Sequence, residues 1–120
     1  MYLREIKEIL DAEVIVGQDR LDVDVTCAGV ADLISDVLAY VTPGCLLITG
    51  LTNPQVVRTA DVLDISAIIL GRGKKFSSET VRLAEELNIP VLATDYILFE
   101  IVGRLYAKGI RGCIEKVGSK

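Results

Sequence analysis

The sequence predicts an α/β fold, specifically a three-layer α/β/α sandwich built around a mainly parallel sheet. Two observations lead to this prediction. Short apolar runs rich in β-branched residues alternate with segments of helical periodicity at a spacing of about 20 residues. Several of these runs are apolar at every position, which is typical of strands that are covered on both faces. Because right-handed crossovers place helices on both sides of a parallel sheet, three layers follow.

The first third of the chain is predicted to contain two helices and two strands. Residues 2–11 carry apolar side chains at helical spacing and predict a helix. Residues 13–17 predict a strand that ends at a glycine, and the polar residues 18–22 predict a loop. A second strand is predicted at 23–28. Residues 31–41 place their apolar side chains on one helical face and predict the next helix.

The rest of the chain continues the alternation of strand and helix. Residues 45–49 predict a buried strand, and Asn53 caps the helix that Pro54 opens, which runs to about residue 63. The remaining predicted elements are a buried strand at 66–70, a helix capped by Ser77 or Ser78 that runs through Leu87, a strand at 90–93, a helix capped by Thr94 or Asp95 that runs to about Ala107, and an edge strand near 113–117.

The composition narrows the possible functions. The chain has 120 residues, of which 51% are hydrophobic, and this length predicts one domain over residues 1–120. Because the formal net charge is −4, we expect no binding to nucleic acid. It contains no histidine, which excludes Ser-His-Asp and Cys-His nucleophile systems and zinc sites that use histidine. No nucleophile has a recognisable base, and no carboxylates are spaced as a catalytic pair. We therefore expect no enzyme activity, no metal and no cofactor.

The cysteines predict a reducing environment. Cys27, Cys45 and Cys113 are odd in number, far apart and without a C-x-x-C pairing, so they form neither a disulfide framework nor a metal ligand set. We expect three reduced, mostly buried thiols in a cytoplasmic protein. Apolar stretches are far shorter than the ~20 residues of a membrane helix, and the N-terminus lacks the features of a signal peptide.

Candidate binding residues lie at the predicted carboxyl ends of the strands, where open parallel sheets bind their ligands. The loop Thr49–Asn53 combines Gly50 with a helix N-terminus that can attract an anion. The alternative is an ordinary turn with an asparagine cap. The loop from Gly71 through Arg72, Gly73 and Lys74 to Lys75 is the densest positive charge in the chain. It either neutralises a phosphate or carboxylate or is simply a solvated loop.

Weaker candidates accompany these two loops. Thr94 and Asp95 can contact a ribose or another polar group, although helix capping alone also explains them. Glu100 and Arg104, four residues apart, predict a pair on the surface of a helix. The spacing of the acidic residues in the first third of the chain does not match a calcium loop, so we assign them to solubility. They are Asp19, Asp22, Asp24 and Asp32.

The sequence resembles the DRTGG domain over residues 45–106 and over the preceding TCAGVADLISDVLAY. The resemblance is most specific in the segment AEELNIPVLAT and in the helix that follows it. The resemblance implies a regulatory α/β domain. Relatives occur in phosphate acetyltransferases, between CBS domains of regulated pyrophosphatases, and as stand-alone proteins, and the fold is similar to the N-terminal domain of HPr kinase/phosphorylase. The name-giving motif is absent, since Leu51-Thr52-Asn53-Pro54 stands in place of its Asp-Arg and Gly71-Arg72-Gly73 in place of its Thr-Gly-Gly.

The expected function is therefore a non-catalytic regulatory or ligand-sensing domain that binds a nucleotide or another phosphate-bearing metabolite at the strand-end loops. The alternative is a protein-interaction module that docks on an enzyme or regulatory protein without a small ligand. A third possibility is a small enzyme acting on a phosphorylated metabolite. We also expect a homodimer, because the last helix is apolar on more than one side, and no membrane association.

Overall fold

The fold was analysed in a computed structural model that describes residues 1–118. Five helices and six strands alternate along this part of the chain. The helices are α1 (Leu3–Ile9), α2 (Ile34–Tyr40), α3 (Pro54–Val62), α4 (Ser78–Glu86) and α5 (Leu98–Ala107). The strands are β1 (Glu13–Val16), β2 (Cys27–Val30), β3 (Leu46–Thr49), β4 (Ala67–Leu70), β5 (Val91–Ala93) and β6 (Arg111–Gly112). None of these helices combines the length and apolar character needed to cross a bilayer.

The six strands form one sheet in the order β1-β5-β4-β3-β2-β6. Only β1 runs antiparallel to its neighbour, β5, and the other strand pairs are parallel. Side chains on one face pack with α1 and α5, including Ile48 and Ile69, while those on the other face pack with α2, α3 and α4, including Leu47 and Ile68. The predicted three-layer α/β/α sandwich is thus confirmed.

The predicted strand at 23–28 is displaced toward the C-terminus in the structure. Residues 23 and 25 pair with the start of the chain instead of the sheet, since Leu3 N–H donates to Val23 O (3.0 Å) and Val25 N–H donates to Met1 O (2.8 Å). Strand β2 begins only at Cys27. Hydrogen bonding to β3 continues past its end, because Ala31 N–H donates to Ile48 O at 3.1 Å. This keeps residues 31–33 out of α2.

The last helix and the last strand also differ from their predicted bounds. Neither Thr94 nor Asp95 caps α5, whose N-cap is Ile97, because the Thr94 side chain turns inward and the chain bends at residues 95 and 96 before the helix begins. The final strand spans residues 111–112 and not 113–117. A Cβ on Gly112 would lie 2.9 Å from Ile114 O, so the backbone turns back on itself directly after the strand.

The prediction of three reduced thiols is wrong for two of them. Cys27 and Cys45 form a disulfide, whose Cα atoms are 5.0 Å apart. Their partnership follows from the register of β2 and β3, in which Ala28 lies opposite Leu46 and the preceding cysteines therefore face each other. Cys113 is a free thiol. Disulfides are rare in cytosolic proteins, so this bond does not support the predicted cytoplasmic location. That location stays a prediction.

Candidate functional site

A hydrogen-bonded ion pair lies at the carboxyl ends of β2, β3 and β4. Arg72 Nη1 donates to Asp32 Oδ2 at 2.8 Å, and Gly50 N–H donates to Asp32 Oδ1 at 2.7 Å. Thr49 Oγ1 adds a longer hydrogen bond of 3.4 Å to the same oxygen. Three segments that are far apart in the sequence therefore converge on one carboxylate. We refer to Asp32, Thr49, Gly50 and Arg72 as the Asp32 cluster.

Glycine at position 50 leaves room for the Arg72 side chain, which lies across it. A Cβ built on Gly50 would overlap the Arg72 guanidinium. The glycine therefore lets the cation approach the backbone at the end of β3, as predicted for a loop that could meet a charged group. The structure brings these two loops together, but the group between them is Asp32 of the same chain.

Arg72 sits in an unusual backbone conformation. Its φ is 60° and that of Gly73 is 67°, and Lys74 N–H donates to Gly71 O at 3.2 Å, so residues 71–74 form a turn of the kind that needs two positive φ angles. Left-handed geometry at a residue with a Cβ costs about 1–2 kcal/mol. The turn is tied to the segment after β5, because Arg72 N–H donates to Tyr96 O at 2.8 Å.

Two other predicted residues serve the fold in this region. Asn53 caps α3, since its Oδ1 accepts from Val56 N–H at 3.2 Å, in agreement with the ordinary-turn alternative. Gly71 is buried, and a Cβ there would lie 2.8 Å from Ile101 Cδ1 of α5. Its role in the structure is to let α5 pack closely on the end of β4.

The rest of the predicted residues line a separate cavity of about 340 Å³. Lys74 and Lys75 are exposed and, within residues 1–118, form no salt bridge. The wall of the cavity also carries carboxylates, so its charge is mixed. The predicted site residues that line it are Gly73, Lys74, Lys75, Thr94 and Asp95, and the acidic residues beside them are Asp11 and Glu13.

Thr94 has a structural role that the sequence did not indicate. Its hydroxyl is buried and donates to Leu10 O at 2.7 Å, which ties the end of α1 to the end of β5. The Thr94 hydroxyl oxygen also accepts a hydrogen bond from Tyr96 N–H at 3.3 Å. Asp95, by contrast, is exposed, and its Oδ1 lies 3.2 Å from the position of a Cβ on Gly73.

The residue that sequence reasoning missed is Asp32, which had been assigned to solubility. A signal was available in the order of residues, because Asp32 comes two residues after a strand and just before a helix, where ligand-binding side chains gather in parallel sheets. The error came from ending the strand too early and starting the helix at residue 31. Asp24 does lie at the surface, where its Oδ1 accepts a hydrogen bond from the N-terminal amine at 2.7 Å. The predicted pair of Glu100 and Arg104 is confirmed at 3.4 Å.

The pKa of Asp32 is lowered from its ordinary value. Partial burial acts to raise this pKa, but the hydrogen bonds from Arg72 and Gly50, the Arg72 charge and the Thr49 hydroxyl together outweigh burial. Asp32 is therefore ionised at neutral pH. No group of acidic or cysteine side chains within residues 1–118 is arranged to hold a metal ion.

The lowered pKa predicts how stability depends on pH. The unfolded carboxyl titrates near pH 4, so the Asp32–Arg72 ion pair contributes its full stability above that pH and loses it as the pH falls through the lower pKa of the folded chain. We expect the free energy of unfolding to fall less below about pH 4 in Asp32→Asn than in the unmodified chain. Urea unfolding at a series of pH values measures this. The matched control is Asp36→Asn, an exposed change outside the Asp32 cluster, and equal slopes for all three proteins would contradict the prediction.

The chain is similar to known proteins in its fold and in its sequence. The chain is similar to a solved structure of the CBS and DRTGG domains of the regulatory region of a Clostridium perfringens pyrophosphatase, complexed with the activator diadenosine tetraphosphate. The TM-score is 0.72 at 23% sequence identity over 87% of this chain, which spans 45% of that one. At this identity the likeness shows a shared fold. No curated protein matches the sequence. The DRTGG domain family matches residues 5–107, and the chain therefore belongs to the DRTGG domain family.

Proposed function

We propose that this chain is a non-catalytic regulatory domain that binds a nucleotide or another phosphate-bearing metabolite at the carboxyl-end loops. The observation that carries the proposal is the pair of adjacent exposed lysines, Lys74 and Lys75, beside a turn that also holds Arg72. The two lysines place cations, beside the carboxylates of the cavity wall, at the sheet edge where parallel α/β folds bind ligands.

Family membership supports a regulatory role. The similar solved structure is described as a regulatory region complexed with an activator that is a nucleotide. In the present chain, the wall of the cavity lined by Lys74 and Lys75 offers cations for phosphate groups and, through Asp95, an acceptor for hydroxyl groups. Exposed cations in a mixed-charge cavity support micromolar to millimolar affinity, which suits a sensor.

Titration with ATP, AMP and inorganic phosphate tests the proposal. We expect amide resonances of Gly73 and Lys74 to shift at millimolar ligand and Lys74→Ala/Lys75→Ala to weaken binding by about tenfold or more, the effect of losing one charge-assisted hydrogen bond. The matched control is Lys7→Ala/Lys108→Ala, which removes the same charge elsewhere. Binding unaffected by the first pair, or weakened equally by both pairs, would count against the site.

The second candidate, docking on a protein partner without a small ligand, is favoured by the outer surface of α5. Phe99 is 79% exposed, and Ile97 and Tyr106 are each 56% exposed. These exposed apolar side chains, at the N-cap of α5 and along it, support an interaction surface. We propose that a second copy of this chain covers them, giving a homodimer, while an enzyme or regulatory protein is the alternative partner.

Light scattering at tens of micromolar concentration distinguishes these partners. A homodimer predicts twice the chain mass of 13.0 kDa, and Phe99→Glu is expected to return the mass to that of the monomer. Glu79→Ala, an exposed change on α4 away from this helix, should leave the dimer intact. A monomeric mass for the unmodified chain would exclude the homodimer and leave the docking role to another protein.

A further inference from the structure

The donors around Asp32 form an arrangement that suits an oxyanion in general. A backbone N–H, a guanidinium and a hydroxyl, from Gly50, Arg72 and Thr49, point at the two oxygens of one carboxylate. The same set of groups recognises phosphoryl and carboxylate groups of ligands. Asp32 therefore occupies, with its own charge, a place at the sheet edge that a bound anion would otherwise fill.

We infer that Thr49, Gly50 and Arg72 form an anion-binding site, which we call the oxyanion seat, and that the Asp32 carboxylate occupies it in the free protein. An anionic ligand then binds there by displacing Asp32. This inference rests on the proposed function and adds a second anion-binding position, at the Asp32 cluster, to the same sheet edge. The Asp32 side chain is 41% exposed and that of Arg72 is 34% exposed, so solvent reaches the pair. Asp32 lies in the segment between β2 and α2, outside both elements.

The backbone of the seat does not depend on Asp32 for its shape. The turn at residues 71–74 fixes the backbone of Arg72 through Tyr96 O, and Gly73 N–H donates to Thr94 O at 3.1 Å. Gly50 follows β3, which is paired on both sides. The Gly50 N–H and the backbone that carries Arg72 therefore keep their places when the carboxylate leaves, as a preformed binding site requires.

Because Asp32 occupies the seat, the apparent affinity for a ligand equals the intrinsic affinity multiplied by the fraction of time that the seat is vacant. Removing the occupant must then raise affinity at the seat, and the unmodified chain must bind phosphate at the same position more weakly. A purely structural ion pair predicts no binding at the Gly50 amide of the unmodified chain. Asp36→Ala is the control for a general effect of charge on affinity, because it removes one negative charge from the exposed first turn of α2.

The test is titration with inorganic phosphate at constant ionic strength, followed by the amide resonance of Gly50. We expect Asp32→Ala and Asp32→Asn to bind phosphate about tenfold more tightly than Asp36→Ala, and Asp32→Ala/Arg72→Gln to lose that gain. Asp32→Asn preserves the shape of the side chain, so it serves if the alanine variant does not fold. Circular dichroism verifies folding in each case.

The outcomes separate this inference from the proposed function. If both Asp32 variants bind phosphate within twofold of Asp36→Ala while ATP still binds through Lys74 and Lys75, the inference is overturned and the proposed function stands. If Gly50 responds to phosphate in the Asp32 variants while Lys74→Ala/Lys75→Ala binds ATP as the unmodified chain does, the seat is supported and the assignment of the lysines fails.

Discussion

Replacing Ile101 by alanine is expected to lower the free energy of unfolding by about 2–5 kcal/mol, the usual cost of emptying a buried isoleucine position. Ile101 is fully buried on the inner face of α5, in the core that also contains Ile48, Ile69 and Leu92. Its Cδ1 atom fills the space above Gly71, where the chain leaves β4. Urea unfolding followed by circular dichroism measures the loss.

The contact between Ile101 and Gly71 allows a sharper form of this prediction. Gly71→Ala inserts a methyl group 2.8 Å from Ile101 Cδ1 and is expected to destabilise by about 1–3 kcal/mol. Ile101→Val removes that same Cδ1 atom, so the double variant should lose less stability than the sum of the single variants, by about 0.5 kcal/mol or more. Gly71→Ala combined with Ile89→Val, in the opposite core, should be additive. Additivity in both combinations would contradict the proposed packing.

The sequence predicted the two central strands and the caps of α3 and α4 most accurately, because each of these residue patterns is compatible with only one local structure. Residues 46–49 and 67–70 are buried at every position, and a continuous apolar run of that length predicted both strands within one residue. Asn53 and Ser77 cap α3 and α4 as expected, because each side chain accepts a backbone N–H three residues later. Local chemistry decided these elements, so no tertiary information was needed.

The candidate site was less predictable because it depends on pairings between distant segments. Placing the loops at the carboxyl edge required only the strand order, but the contact from Arg72 to Asp32 spans 40 residues and depends on where β2 ends. Ending that strand two residues early moved Asp32 into a helix and out of consideration. The predicted set was also divided in two, since Gly50 and Arg72 face Asp32 while Lys74 and Lys75 face the cavity beside Asp95.

The disulfide was missed for the same reason, and its removal is the second large effect expected. Cys27 and Cys45 are 18 residues apart, and closing a loop of that size restricts the unfolded chain by about 3 kcal/mol in the chain-entropy treatment. Adding dithiothreitol should therefore lower the free energy of unfolding by about this amount. Urea unfolding with and without the reductant measures the difference.

Thiol counting provides the control for this experiment. Before reduction, the unfolded chain should expose one reactive thiol, that of Cys113, and after reduction all three cysteines should react. Cys113→Ala should respond to dithiothreitol as the unmodified chain does, whereas Cys27→Ala/Cys45→Ala should not respond at all. Three reactive thiols before reduction would contradict the bond. Because β2 and β3 also pair through their backbones up to Ala31 and Ile48, the Asp32 cluster should persist in the reduced protein, and the Gly50 amide should keep its position.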